Sequence, residues 1–423
     1  MQHQRFTFYV CLVFFTFYAT GCVTLDEGET GANDSMTKTR WSANVGGPFP
    51  VAQDLAILLP RSEAHTIRAN TAISDGLSLL PEGWLTAVTE AFYATPVETA
   101  LDDENWYEDW QIASIRIAPC AALVNVINEA VSELCWPEVR VVWQPTLFEF
   151  SIRGVIRAAY SDDRAIHALY HFLPERDAEA SQRLISQVKS GNTSQLNRFL
   201  EARNEAVEQL LSQVAQLRTL PAENYSELWY RAELLGNSDS ADRFIDRLTT
   251  WLRSVVHPSN AHTVTAFSLP TGRQPAGIDL WSFIAFNVDD GLLSQKHLEI
   301  IDPLSGEVLG VLQNDETVAS GNADPRLTEQ MDDPRTGSSL AHQVLTSVDQ
   351  RTGEFADRIN NPSQTLVPNT SCATCHSLNE LVFDMHNLSY LENNEITVSE
   401  RVKADVAHEL KWIEAFISQT TPY

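Results

Sequence analysis

The sequence predicts an α+β fold: a mixed helix/strand N-terminal body followed by a small, mainly helical C-terminal region. Three observations carry this. Apolar residues make up 43% of the 423 residues, enough for a real core. Stretches in which apolar residues alternate, the mark of a half-buried strand, are interleaved with stretches in which they recur every three or four positions, the mark of a helix. A polar run rich in Gly, Pro and Asp, residues 314–339, then separates a body over 51–313 from a C-terminal region over 314–423.

The elements follow in order. "GWLTAVTEAF" (83–92) has helical spacing, and "WQIASIRIA" (110–118) alternates as a strand does. "ALVNVINEAVSEL" (122–134) again has helical spacing, and "EVRVVWQP" (138–145) returns as a strand. "AIHALYHFL" (165–173) fits either state. Residues 193–217 form a long amphipathic pattern with Thr193 placed to cap it, and 240–256 form another. Four strand-like stretches follow at 263–269, 279–288, 297–302 and 307–313, with Asp302-Pro303 and Ser305-Gly306 as a turn between the last two. Near the end, Val402, Val406, Leu410 and Ile413 form an apolar helical stripe beside Trp412 and Phe416. Arg401, His408 and Lys411 fall on its opposite, solvated face, and Thr397 with Glu400 fits a capping box.

The N-terminus bears on compartment. Arg5 precedes an apolar stretch, Phe6 to Ala19, of leader length and short for a membrane span. It ends Ala19-Thr20-Gly21-Cys22. Small residues before a cysteine resemble the bacterial lipobox, with Ala19 where that motif more often has Leu. The resemblance implies a signal peptide over 1–21, cleavage before Cys22, and acylation of that residue. Several acyl chains anchor stably where one does not. Residues 22–50, rich in Gly, Asp, Asn, Ser and Thr, then read as a flexible tether. Val23 in place of an Asp leans toward the outer membrane.

The formal net charge of −27 excludes a nucleic-acid binder, which needs clustered Lys and Arg. It suits a body held beside an anionic membrane through the lipid anchor only. No Gly-Xaa-Ser-Xaa-Gly elbow, P-loop or dinucleotide fingerprint is present.

Chemistry concentrates at Cys372-Ala373-Thr374-Cys375-His376. Two thiols at this spacing meet the two vinyl groups of a porphyrin, and the adjacent imidazole lies under the iron. A redox CxxC follows a strand, whereas this pair follows the loop-like "NNPSQTLVPNTS". A zinc site needs a second ligand pair, and there is no second CxxC. A plain CxxC disulfide makes a strained, tight loop. The pentad resembles the haem-attachment motif of c-type cytochromes, which implies one covalent haem c on Cys372 and Cys375 with His376 as proximal iron ligand. In small members of that family the motif lies near the start of the domain and a distal Met comes much later. Here the one Met after it is Met385, nine residues on. His386 is the favoured distal ligand, with Met385 the alternative; Met331, His342 and His408 are further candidates, His408 being placed on a solvated helix face.

Two other constellations stand out. Cys120 and Cys135 fit a disulfide in an oxidising compartment. An unbroken helix between them would hold its ends about 22 Å apart, so the pair requires a return that brings the strand at 110–118 to the one at 138–145. His167 and His171 are either a metal pair on a helix or neighbours on one strand face, and no HExxH surrounds them.

The expected function is one-electron transfer by a monohaem c-type lipoprotein of the bacterial envelope, docking a redox partner with a basic surface. The alternatives are a haem peroxidase or gas or redox sensor with an open sixth iron position, and a binding or scaffold module whose haem is structural.

Overall fold

In the computed structural model the described residues are 49–60, 65–93, 106–123, 134–150, 152, 156–161, 165–174, most of 177–268, 282–295, 298–301, 308–312, and most of 398–420. They form an α+β fold built on an eight-stranded antiparallel sheet. A short helix α1 (Ala52–Leu55) runs into β1 (Ala56–Leu58). Helices α2 (Glu82–Tyr93) and α3 (Trp106–Asp109) precede the long hairpin of β2 (Trp110–Ala122) and β3 (Cys135–Phe150). β4 (Ile156–Ser161) and β5 (Ala165–His171) both pair with β3, β4 with its second half and β5 with its first. Helices α4 (Ala178–Lys189), α5 (Leu196–Gln216), α6 (Ala232–Leu235) and α7 (Ser238–Val255) follow. β6 (Ala261–Ser268), β7 (Ser282–Asp289) and β8 (Leu292–Gln295) complete the sheet, whose order is β1-β2-β3-β5-β6-β7-β8. A separate two-stranded ladder joins β9 (Leu298–Ile301) and β10 (Val308–Leu312), and α8 (Glu400–Thr420) closes the described chain.

Strand alternation sorts the sheet into two faces. Ile115, Ile117, Val139, Val141, Trp143, Ile166, Ala168, Tyr170, Val264, Ala266, Ile284 and Phe286 share one face and all belong to a single apolar core. Helix residues at three- and four-residue spacing join it: Phe199, Val207, Leu210, Leu211 and Val214 of α5, and Phe244, Leu248, Trp251 and Leu252 of α7. Trp84 of α2 stacks on Tyr170 at 6.4 Å between ring centres and donates its indole N–H to the carbonyl of Gly291 (2.7 Å).

Several expectations resolve. The ambiguous stretch at 165–173 is a strand, because β3 and β6 pair with it on both sides. Three strands, β1, β4 and β8, go beyond the pattern read from sequence. β8 follows a two-residue turn in which Asp290 (φ 50°) and Gly291 (φ 80°) take the left-handed conformation that a tight hairpin requires. Thr193 does not cap α5; Gln195 holds the N-cap position without a side-chain bond, and Thr193 instead accepts from Leu196 N–H through its carbonyl (3.1 Å). The helical spacing at 122–134 and the capping residue Thr397 fall largely or wholly outside the described residues. His408 and Lys411 are exposed on α8, but Arg401 is buried, held by Asp405 one turn on (2.8 Å).

α8 packs on α1 and β2, and its Val406, Ile413, Phe416 and Ile417 enter the same core as the body. Among the described residues, no helix is long and apolar enough to cross a membrane.

Candidate functional site

The second face of the sheet is polar. Its rows run Ser114–Val142–His167–Thr265–Ala285, Arg116–Arg140–Leu169–Thr263–Asn287, and Ala118–Glu138–His171. An irregularity in the β5–β6 register lets His262 join the last row. His167 and His171 are therefore neighbours on one strand face.

At the end of this face four side chains meet. The imidazole of His262 stacks on that of His171, with ring centres 4.0 Å apart and planes 18° from parallel. His262 Nε2 lies 3.0 Å from Glu138 Oε2, and its Nδ1 lies 3.0 Å from the Thr263 hydroxyl. Lys189 Nζ, at the end of α4, lies 3.2 Å from His171 Nε2. Arg140 flanks Glu138 at 3.6 Å.

Burial pushes His171 well below the usual imidazole range, and the positive character of His262 and Lys189 pushes the same way against Glu138. His167 is lowered to about 3, by burial first and by Arg140 second. Crowding by protein also lowers Lys189, with Glu138 opposing. His171 is thus neutral at pH 7. Its Nδ1 is buried and has no hydrogen-bond partner among the described residues. Chemically, the cluster pairs a carboxylate with one imidazole and sets a neutral imidazole against it, so it can hold a proton. It does not converge on an ion: among the described residues, no group of three or more His, Cys, Asp or Glu side chains is placed to hold a metal.

Further along the same face, Arg116 of β2 reaches α8. Its Nη2 donates to both carboxylate oxygens of Glu409 (3.0 and 2.9 Å), and its Nη1 donates to the carbonyl of Leu55 (2.7 Å). Burial raises Glu409 to about 7 against the pull of Arg116, and Asp405 adds to the rise.

A second polar constellation is buried near α1. Asp54 accepts from Nε of Arg218 (3.1 Å), from its Nη2, from Arg231 Nη1 (3.3 Å) and from Val51 N–H (2.8 Å). Arg231 also donates to both oxygens of Glu233 (3.2 and 3.3 Å), which accepts in turn from the Tyr225 hydroxyl and Thr219 N–H (3.1 Å). Arg231 lies over the Tyr225 and Phe244 rings at 5.0 and 4.6 Å. Burial, then the bond to Glu233, pushes the Tyr225 phenol up to about 12. Every charge here has a partner, which marks a structural network.

The cysteines predicted to pair are joined: Cys120 and Cys135 form a disulfide with Cα atoms 4.9 Å apart. The return between them is the β2–β3 hairpin itself, with Ala122 opposite Cys135 and Leu123 N–H bonded to Leu134 carbonyl (3.0 Å). The other predicted site residues lie outside the described residues: Cys22, Met331, His342, Cys372, Cys375, His376, Met385 and His386.

Sequence reasoning missed Glu138, Lys189, His262, Arg116 and Glu409. Only Glu409 left a signal: it falls between Val406 and Ile413 at helical spacing, inside the stripe rather than opposite it. Comparisons with models of protein families, with curated proteins and with solved structures find no match.

Proposed function

We propose that the chain is an envelope-anchored c-type cytochrome lipoprotein with one covalent haem, carrying out one-electron transfer. The pentad Cys372-Ala373-Thr374-Cys375-His376, in a chain with an export leader, carries the proposal. Its donor set fits the group: Cys372 and Cys375 would hold the porphyrin through thioethers, and His376 would ligate the iron. When bound, the haem supplies an iron that takes up and releases one electron.

His386 would close the other side of the iron, with Met385 in its place if the potential is high. The Cys120–Cys135 disulfide supports export to an oxidising compartment. The charge of −27 supports docking to a basic partner, with an association rate that falls as salt rises. Cys22 is the proposed lipid anchor on the periplasmic side or surface of the outer membrane.

The test is an absorption spectrum of protein made with a cytochrome c maturation system, oxidised and reduced, before and after His386→Ala. Porphyrin that stays with the denatured chain, and a low-spin iron that becomes high-spin in the variant, are expected. Denatured chain without porphyrin overturns the proposal. A second reading draws on size: the 51–313 body takes up 263 of the 423 residues. A scaffold with a structural haem predicts that His376→Ala loses folding while electron flow in the parent is negligible.

A further inference from the structure

The Cys120–Cys135 disulfide is asymmetric across its two strands. Cys120 and the two residues that end β2, Ala121 and Ala122, are half-buried, whereas Cys135 is 2% exposed and Trp136 0%. The β3 side is also the one tied down. Trp136 donates its indole N–H to the carbonyl of Phe172 (2.8 Å) and packs against the ring of Phe199 of α5, with centres 5.5 Å apart. Phe172 N–H in turn donates to the carbonyl of Pro137 (2.9 Å).

The end of β2 is set apart from the rest of its ladder. Pairing reaches Ala118↔Glu138 and resumes at Ala121↔Trp136, so Pro119 and Cys120 together stand opposite Pro137. Such a bulge leaves its extra residue unpaired, and neither proline has an N–H to give. Beyond the bulge the described ladder holds Ala121↔Trp136 and Ala122↔Cys135, with Leu123 N–H bonded to the carbonyl of Leu134 (3.0 Å). A cross-link here does what the interrupted ladder does only weakly: it keeps the end of β2 on β3.

One of the two sulfurs has a cation beside it. Arg203 of α5 points Nη1 at Cys135 Sγ (3.9 Å). Its Nε and Nη2 both donate to Asn204 Oδ1 (3.1 and 2.7 Å), which fixes the plane of the guanidinium. A positive group at this place favours a Cys135 thiolate over a disulfide sulfur, which carries no charge.

From the half-buried sulfur, the anchored sulfur and the guanidinium, we infer that this bond is an exchange site for a protein dithiol, and that its redox state decides whether the end of β2 is held. A thiolate of the dithiol attacks Cys120 Sγ. The S–S bond breaks and its electron pair leaves on Cys135 Sγ, beside Arg203. The second thiol of the dithiol loses its proton to solvent and attacks the partner sulfur bound to Cys120. Cys120 is released and takes up a proton; two electrons have passed to the protein, and the dithiol has become a disulfide. A leaving thiol of lower pKa departs faster, which makes Cys135 the better leaving group of the two. Cys135 then stays with Trp136, while the end of β2 is free to lift away. The inference makes no use of haem, so it stands or falls separately from the cytochrome proposal.

The test takes the oxidised full-length protein in native buffer, with dithiothreitol as the dithiol and glutathione as a trap. Acid quenching, alkylation and peptide mass spectrometry then read Cys120 and Cys135 separately. Dithiothreitol is expected to reduce the bond while the far-ultraviolet circular dichroism is kept, and trapped glutathione should sit on Cys120. Arg203→Leu should lower the equilibrium constant for reduction about tenfold, which moves the midpoint about 30 mV more negative, and Arg203→Lys should recover most of that shift. In the reduced protein the amides of Ala121, Ala122 and Leu123 should exchange with deuterium faster, while those of residues 138–143, paired on both sides, do not. Reduction that needs denaturant, glutathione found on Cys135 instead, or an unchanged midpoint in Arg203→Leu overturns the exchange site. Faster exchange over 138–143 as well shows general unfolding and overturns the local release. Should Arg203→Leu not fold, the sulfur attacked in the parent still decides.

Discussion

Removing the charge of Asp54 tests the buried network most directly. Asp54 is fully buried and is the anion shared by Arg218 and Arg231, both nearly or fully buried. Asp54→Asn keeps the volume and one acceptor oxygen but takes the carboxylate away from Arg218 and leaves Arg231 with that of Glu233. Breaking a buried pair by removing one partner costs about 3–5 kcal/mol, because the remaining charge is stranded away from water. The loss should lie at the upper end of that range, since two cations lose the same partner. For a body of this size each kcal/mol lowers Tm by about 2–4 °C, so a fall of roughly 10 °C or more is expected. Urea unfolding followed by circular dichroism reads the change as a lower midpoint with an unchanged slope. Asp54→Leu combined with Arg218→Met should recover more than half of the loss, because that change removes a cation with the anion. A midpoint shift equivalent to less than about 1 kcal/mol for Asp54→Asn would show that water reaches this network and would refute the reasoning.

Glu409 has a folded pKa of about 7 against an ordinary value of 4.5, so folding favours its protonated form; its contribution is complete below pH 4.5 and is lost as pH rises through 7. Urea midpoints of the parent should therefore fall between pH 5 and pH 8 by more than those of Glu409→Gln, and equal falls would contradict the assignment. His167, lowered to about 3, and His171, lowered well below 6.5, should show imidazole proton shifts in NMR that stay flat from pH 8 down to pH 5; a midpoint near 6.5 for either means that water reaches it. Replacing Cys120 and Cys135 together by Ala opens a cross-link between positions 15 apart in sequence and should cost about 3 kcal/mol in urea unfolding without reductant. No difference from the parent would mean that the hairpin is set by its strand pairing alone.

The sequence carried the regular elements because their periodicity is local. Alternation of Ile115 and Ile117, and of Val139, Val141 and Trp143, marks strands buried on one side. The stretch at 165–173 stayed ambiguous because both of its faces are buried, so Ile166, Ala168 and Tyr170 do not stand out from Leu169. β8 was within reach, since Asp290-Gly291 is a hairpin signal, but the strand that it leads into has only four residues. The candidate site was not legible. Glu138, Arg140, Thr263 and Thr265 occupy the alternate positions that ordinarily face water, and nothing local says that this face is covered. The same holds for Asp54 and its partners, which lie 164 and 177 positions away along the chain.

The placement of α1 has a mechanical consequence. Phe49, the first described residue, has its carbonyl held by Arg218 Nη2 at 2.8 Å, and Val51 N–H is held by Asp54 at the same distance. Under the proposed anchoring at Cys22, the first of the described residues to meet a pull from the N-terminal side are those tied to this guanidinium–carboxylate knot. β1, a three-residue edge strand with little ladder to resist peeling, is shielded behind it. α8 packs on α1, so the last helix braces the first described element. The strength of that mooring is set by charges deep in the protein, and it would slacken before the sheet itself begins to part.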